Sequence, residues 1–250
     1  MAEITLGMVQ GVFVRVWDVN PGYLNRLSLL GKHRELHAIV SIIKYNKKGY
    51  SRHPETSRWV NSGWALSQRH RLLTAEMNLR GYVDRSPVLL KTGCPKWPDV
   101  FVDPPAAQFS LLAGKYKNSE QGRIPLPRNA QQLWAQHKYS VMARNIVEYK
   151  RLGRWVASRK TGNAISDIYP ALITLMRCPP AEGNLRNAIQ HMWGYVSAYA
   201  SLSGKTIERM TTKTLLKEIQ RLVFLYDIVY LKESTALGEL PAWPQAAKSR

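Results

Sequence analysis

Apolar residues recur at three- and four-residue steps along most of the chain. Leu24, Leu27, Leu30, Leu36, Ile39, Val40 and Ile43 make the first such row. At about 3.6 residues per turn, that spacing puts them on one side of an α-helix. Asn20-Pro21 supplies the start signal, a capping side chain followed by a proline in the first turn. The basic loop Lys44–Gly49 ends the row. A second helix is predicted from about Trp64 to Arg80, with Gly81 at its C-terminal cap, and the segment Gly49–Trp59 between the two reads as a loop. The same period predicts helices at about 129–143, 145–160, 164–176, 184–201 and 212–231, on steps such as Val147, Leu152, Val156 and Ile189, Met192, Trp193, Val196. Strand-like alternation is scarce, and Val12–Val19 is its best candidate.

Residues 91–130 interrupt this pattern. Six of the 14 prolines lie there (Pro95, Pro98, Pro104, Pro105, Pro125, Pro127), with glycines at 93, 114 and 122. Proline has no N–H to give to a helix or sheet interior, so no long element is expected here. The predicted fold is mainly α: two small helical domains joined by a Pro/Gly-rich connector. The expected division is an N-terminal extension at 1–13, a first domain at 14–115, a linker at 116–127 and a second domain at 128–245. No internal repeat or low-complexity tract is present.

Length and composition fit that outline: 250 residues, 45% hydrophobic and 21% charged, enough for one large or two small globular domains. Charge adds more. The chain holds 36 Lys+Arg against 17 Asp+Glu, a formal +19. Residues 1–120 carry 17 and 9, and residues 121–250 carry 19 and 8, so neither half is a basic tail on a neutral body. Such an excess calls for a polyanionic partner, nucleic acid or an acidic membrane surface. Uncharged apolar stretches such as Ala38–Ile43 are far too short to span a bilayer, and no signal segment opens the chain, so membrane insertion and secretion are not expected. Cys94 and Cys178 form no CxxC, which leaves no disulfide framework or zinc knuckle and suits a reducing, cytoplasmic setting.

Phosphate-loop, dinucleotide and nucleophile-elbow motifs are absent. His33 and His37, four apart on a helix, could pair as metal ligands, but Glu35 lies roughly 200° around the helix from His33 and no third ligand is near in sequence. No metal and no cofactor are therefore expected. Glu35 itself is one acid among Arg26, Lys32 and Arg34. It reads either as a solvated pair with Lys32 or as a carboxylate held in a phosphate-binding surface for acid–base work, and spacing alone favours the solvated pair. In the second domain Lys150, Arg151, Arg154 and Ser158 share a helix face, with Arg144 seven before Arg151. That stripe suits phosphates or plain solvation equally. His191, Tyr195 and Tyr199 form a row that could stack on bases, with core packing the favoured reading.

A series of short matches changes the weight on Glu35. In order they are Val14-Arg15-Val16-Trp17-Asp18, Leu29–Leu36, Gly49-Tyr50, His53-Pro54-Glu55-Thr56, Arg58-Trp59, Arg69-His70, Glu76-Met77, Arg80-Gly81-Tyr82 and Ser86-Pro87. Through them residues 14–90 resemble the pyrimidine-dimer DNA glycosylase family. The resemblance implies a small helical domain with glycosylase and abasic-lyase chemistry. A free α-amine attacks C1′ of the damaged nucleotide, the base leaves, an imine forms, and a glutamate assists ring opening and the elimination that nicks the strand. An α-amine suits this, since its pKa is about 7.7–8.0 against about 10.4 for lysine, leaving more of it neutral at pH 7. By this resemblance Glu35 matches the catalytic glutamate, Arg34 its DNA-contacting neighbour and Arg15 a basic residue beside the nucleophile. The nucleophilic N-terminus falls at Val14, with thirteen residues before it. Either synthesis starts at position 14, with Met in place of Val14, or the chemistry is lost, altered or given to a lysine such as Lys32.

Residues 128–245 resemble an uncharacterised bacterial helical family often fused to a thiouracil-desulfidase-like domain. The match rests on Gln136-His137-Lys138-Tyr139, Met142-Ala143, Tyr149-Lys150-Arg151-Leu152-Gly153-Arg154, Asn187, Gln190-His191 and Gly194-Tyr195. The expectation is thus a glycosylase and abasic lyase acting on damaged or modified pyrimidines, with Glu35 and the amine at Val14 catalytic. Arg15, Arg26, Lys32, Arg34, His53, Arg58, Arg69, Arg151 and Arg154 are the expected nucleic-acid contacts. The expected partner is double-stranded DNA, with a protein partner allowed for through the second domain. The alternatives are a DNA- or RNA-binding protein that keeps the scaffold without the chemistry, and an RNA-base demodification factor.

Overall fold

A computed structural model describes residues 15–88, 90, 95–158, 164–201 and 204–243. Val14, expected to carry the nucleophile, lies outside the described residues. Twelve α-helices occur among the described residues, with three short 3-10 turns and no strand, so the chain is mainly α. In chain order they are α1 (Arg26–Tyr45), α2 (Pro54–Ser57), α3 (Gly63–Leu79), α4 (Pro105–Lys115), α5 (Ala130–Met142) and α6 (Ile146–Ser158). There follow α7 (Ile165–Met176), α8 (Glu182–Trp193), α9 (Gly204–Arg209), α10 (Thr212–Leu225), α11 (Val229–Lys232) and α12 (Thr235–Glu239). No helix among the described residues is long and apolar enough to cross a membrane.

The long helices sit where the apolar period puts them, and the departures have local causes. Asn20-Pro21 opens a 3-10 turn, Pro21–Tyr23, with the Asn20 side chain accepting from Gly22 N–H. The chain then runs extended through buried Leu24, and α1 starts one signal later, where the Asn25 side chain accepts from Ser28 N–H at 2.8 Å. The strand candidate forms no strand from residue 15 onward. Val16, Trp17 and Val19 are buried as an irregular segment whose carbonyls are taken by arginines: Arg58 donates to Val16 O at 2.7 Å and Arg69 donates to Val19 O. Helix α4 occupies a stretch expected to hold no long element. Proline is harmless in a first helical turn, where no intrahelical donor is needed, and Pro104-Pro105 starts this helix rather than breaking one. The predicted 212–231 helix divides at Asp227, which takes a left-handed conformation (φ 48°) between α10 and α11.

Helix α5 lies at the centre, touching α6, α7, α8 and α12. One apolar cluster joins α1, α3 and α4 to α5, α6 and α7; a second gathers α8, α10 and α12 on the other side of α5. The connector is packed, with Tyr116 and Ile124 fully buried. Its Arg123 forks onto buried Glu76 of α3 at 2.7 Å and also donates to the Ser234 carbonyl at 3.2 Å. Arg80 donates to the same carboxylate at 2.7 Å. Burial alone would resist ionising Glu76, but the Arg123 and Arg80 guanidiniums prevail and hold its pKa below the usual carboxylate range. Gly238 of α12 is required here, because a Cβ would lie 2.3 Å from Glu76 Oε2.

Candidate functional site

Helix α1 presents different chemistry on two faces. On one, the Glu35 carboxylate is partly exposed (23%) and accepts three hydrogen bonds from two groups. Lys32 Nζ lies 2.7 Å from each oxygen, and the backbone N–H of Arg15 donates to Oε2 at 2.9 Å. The side chain of Arg15 turns to pair with Asp103, and its guanidinium lies 4.8 Å over the Trp17 ring. Lys115, at the end of α4, belongs to the same neighbourhood. Burial and the charge of Lys32 push its pKa down, against the pull of Glu35. Sequence reading missed both Asp103 and Lys115, which lie in the proline-rich stretch where no element was expected.

A partly exposed carboxylate paired with Lys32 and within electrostatic reach of Lys115 can relay a proton to or from an amine.

The other expected contacts divide. Arg26 and Arg34 are exposed on α1. The His53 ring caps α2, accepting from Glu55 N–H at 3.2 Å, and its centroid lies 6.2 Å from that of Tyr50. Arg58 and Arg69 do not face solvent, which corrects their expected role. Arg58 (side chain 3% exposed) donates to Glu55 at 2.7 Å and Asp18 at 3.1 Å, and those two carboxylates raise its pKa against the effect of burial. Arg69 is buried enough that its pKa falls to about 10, and it serves the Val19 carbonyl. Both hold the entry segment 15–19 against the core.

In the second half Arg151 and Arg154 are exposed, Arg151 paired with Glu148 at 2.7 Å. Arg144 leaves the stripe: it is buried in a two-pronged pair with Glu239 at 2.8 Å. Lys150 and Arg154 border an open basin of about 420 Å³ floored by Trp134 and Tyr149, whose centroids are 5.6 Å apart. The favoured core packing of the tyrosine row also fails. Tyr195 and Tyr199 are 45% and 46% exposed and stack on Tyr230 and Tyr226. A roomier groove, about 970 Å³ between α3, α8 and α10, includes none of the residues around Glu35.

On the other face of α1, the third ligand expected to be missing is present. His33, His37 and His70 of α3 bring their Nε2 atoms to within 3.2, 3.2 and 3.1 Å of one another. Asp84 closes the group, its oxygens 3.2 Å from His33 Nε2 and 3.5 Å from His70 Nε2. Gly81 (φ 82°) turns the chain after α3, and Asp84 follows in the segment beyond it. Burial, and then the neighbouring imidazoles, hold His70 near a pKa of about 4; burial and His33 also lower that of His37. Sequence spacing revealed only the two histidines on one helix.

Comparison with known proteins matches two segments of the chain. Residues 14–90 match the family model described as pyrimidine dimer DNA glycosylase, and residues 138–241 match one described as a protein of unknown function (DUF1722). No curated protein and no solved structure matched the chain. The chain therefore joins a segment similar to pyrimidine dimer DNA glycosylases, which includes both faces of α1, to a segment similar to a family of unknown function.

Proposed function

We propose that this protein is a DNA glycosylase with abasic-lyase activity on damaged or modified pyrimidines, and that Glu35 is its acid–base carboxylate. The observation that supports this reading is the Glu35 carboxylate itself, the one acid of a basic helix, partly exposed and held by Lys32 at 2.7 Å and by the Arg15 N–H at 2.9 Å. The amine lone pair forms a bond to C1′ as the glycosidic bond breaks and the base departs with the bonding electrons. Loss of the amine proton and opening of the sugar ring then give an imine. Glu35 exchanges the protons of ring opening and of the elimination that breaks the strand. Flipping or bending brings C1′ within reach, and the surrounding positive charge anchors the duplex backbone. Double-stranded DNA is the partner this reading requires.

The α-amine at position 14 is the proposed nucleophile, with Lys32 and Lys115, which both interact with Glu35, as the amines that could replace it. Borohydride reduces an imine to a permanent link, so trapping on abasic DNA identifies the attacking atom. A chain beginning at position 14 should be trapped through its first residue. A chain keeping Met1–Phe13 should be trapped poorly, because a tethered amine loses the near-attack geometry. Equal trapping of both forms, with the adduct mapped to Lys32 or Lys115, moves the nucleophile to that lysine. Trapping of neither removes the lyase step and leaves a DNA-binding protein on the glycosylase scaffold.

A further inference from the structure

The three imidazoles on the far face of α1 pose a problem that protons alone cannot solve. Each Nε2 carries either a hydrogen or a lone pair. With three atoms and two states, at least two must be alike, so at least one of the three contacts sets two hydrogens or two lone pairs face to face at 3.1–3.2 Å. A cation at the centre accepts all three lone pairs at once. The spacing matches such a centre. Zinc–nitrogen bonds of about 2.0–2.1 Å, arranged tetrahedrally, separate the ligand nitrogens by roughly 3.3–3.4 Å. The fourth corner is filled by Asp84, whose Oδ1 also accepts from Ser86 N–H at 2.9 Å, an outer contact that fixes the carboxylate. All four ligand atoms lie within 4.8 Å of one another.

We propose that His33, His37, His70 and Asp84 bind one divalent transition-metal ion, with zinc the best match. Imidazole nitrogen favours zinc and its neighbours over calcium and magnesium, which require oxygen cages. Four protein ligands complete a tetrahedron and leave no open position, so the ion is structural. The side chains of His33, His70 and Asp84 are only 13%, 6% and 13% exposed. The ion ties α1 to α3 and to the segment after Gly81, and so fixes the helix that carries Glu35 on its other face.

The full chain, purified without chelator, should contain one equivalent of metal by elemental mass spectrometry. After stripping, Co²⁺ should restore one equivalent with the visible absorption of a tetrahedral site. Zn²⁺ at about a hundred times its Kd should raise Tm by roughly 5–10 °C. His37→Gln and Asp84→Asn should each weaken metal binding by more than about 100-fold, while His191→Ala, an exposed histidine elsewhere, should keep the full equivalent. His37 and Asp84 are less enclosed than His70, so these variants keep the test open if His70→Ala fails to fold. A native chain without metal that shows neither Co²⁺ absorption nor a Tm shift overturns the site, as does unchanged stoichiometry in both ligand variants. None of these readouts uses DNA, so failure here leaves the glycosylase reading standing, and failure of imine trapping leaves the metal site standing.

Discussion

The two faces of α1 are built from the same kinds of side chain yet reach opposite electrostatic ends. Glu35 and Lys32 are three residues apart on one side, the carboxylate partly exposed (23%) and the Lys32 side chain largely buried beneath it. Their pairing is mostly local, and a backbone N–H from the entry segment and the charge of Lys115 reach it from further along the chain. His33 and His37 are four apart, and their pairing is mostly distant, with His70 on another helix and Asp84 beyond it. A partly exposed carboxylate among amines can pass protons, because both its states are affordable there. Enclosed imidazoles that converge on one point are suited to coordination and to little else. Helical geometry keeps the two functions apart, since residues 33 and 35 face roughly 200° from each other.

The largest expected effect separates chemistry from structure on this helix. Glu35→Gln keeps shape and removes the proton-carrying group, so strand cleavage should fall by about 10²–10⁴-fold. Stability should fall by about 1–3 kcal/mol, since the largely buried Lys32 loses its charge partner while the Gln oxygen keeps a hydrogen bond. Binding to abasic DNA should stay within a few-fold. Single-turnover cleavage at the wild-type rate would remove Glu35 from the mechanism. Glu76 gives the reverse case. It also meets two basic partners, but at 2% exposure, and Glu76→Gln leaves Arg123 and Arg80 as uncompensated buried charge. A loss of about 3–5 kcal/mol in urea unfolding is expected, with cleavage by the folded fraction unchanged. A Glu76→Gln chain as stable as the parent would show that this network does not hold the connector to α3.

Much of this was legible in the sequence because it is local. The apolar period located the long helices, Gly81 marked the end of α3, and three-residue spacing predicted the Lys32–Glu35 pair. What escaped needed the third dimension. Spacing along one helix shows His33 and His37 together, but His70 and Asp84 join them only through the packing of α3 on α1. Arg58 and Arg69 count toward a basic surface in any charge sum, yet buried Asp18, Glu55 and the Val19 carbonyl claim them. The proline-rich connector misled for a related reason: Pro104-Pro105 stands at a helix start, where proline is favoured, and the residues that follow carry Asp103's neighbour Gln108 into the core and Lys115 to the Glu35 site.

A smaller effect should come from His137, the buried histidine of α5, which sharpens the contrast with the clustered imidazoles because it stands alone. Its Nδ1 lies 2.9 Å from the Leu133 carbonyl and 3.3 Å from the Tyr23 hydroxyl. Burial drives its pKa down to about 4, while the Leu133 carbonyl and the charge of Glu239 pull weakly the other way and Arg144 assists burial. The unfolded value is about 6.5, so below that pH the unfolded chain takes up a proton that the folded chain refuses. The stability contributed by the neutral ring is complete above pH 6.5 and is lost as pH falls toward 4, at up to about 1.4 kcal/mol per pH unit. Urea unfolding at pH 5 and pH 7 should show that loss in the parent and a shallower one in His137→Gln. Equal slopes in the two would place the titration elsewhere.

The smallest effect tests whether the second unit matches the first in kind or only in charge. Arg151 and Arg154 are exposed beside the Trp134–Tyr149 basin, but among the described residues nothing near them resembles the donor set around Glu35. Their contribution should be to affinity alone. Each phosphate contact contributes about 0.9 to the slope of log affinity against log salt, so changing both to Ala should flatten it by up to about 2. The shift should be nearer 1 if the Glu148 pair, 2.7 Å from Arg151, already offsets much of that charge. Fluorescence anisotropy across a salt series reads the slope, and single-turnover cleavage at saturating protein reads the chemistry. Cleavage at saturation should not move if the proposed proton exchange takes place at Glu35 on α1. If it collapses while the slope stays put, the second unit reaches into the reaction itself, and the separation between an α1 site that acts and a basic surface that holds is wrong.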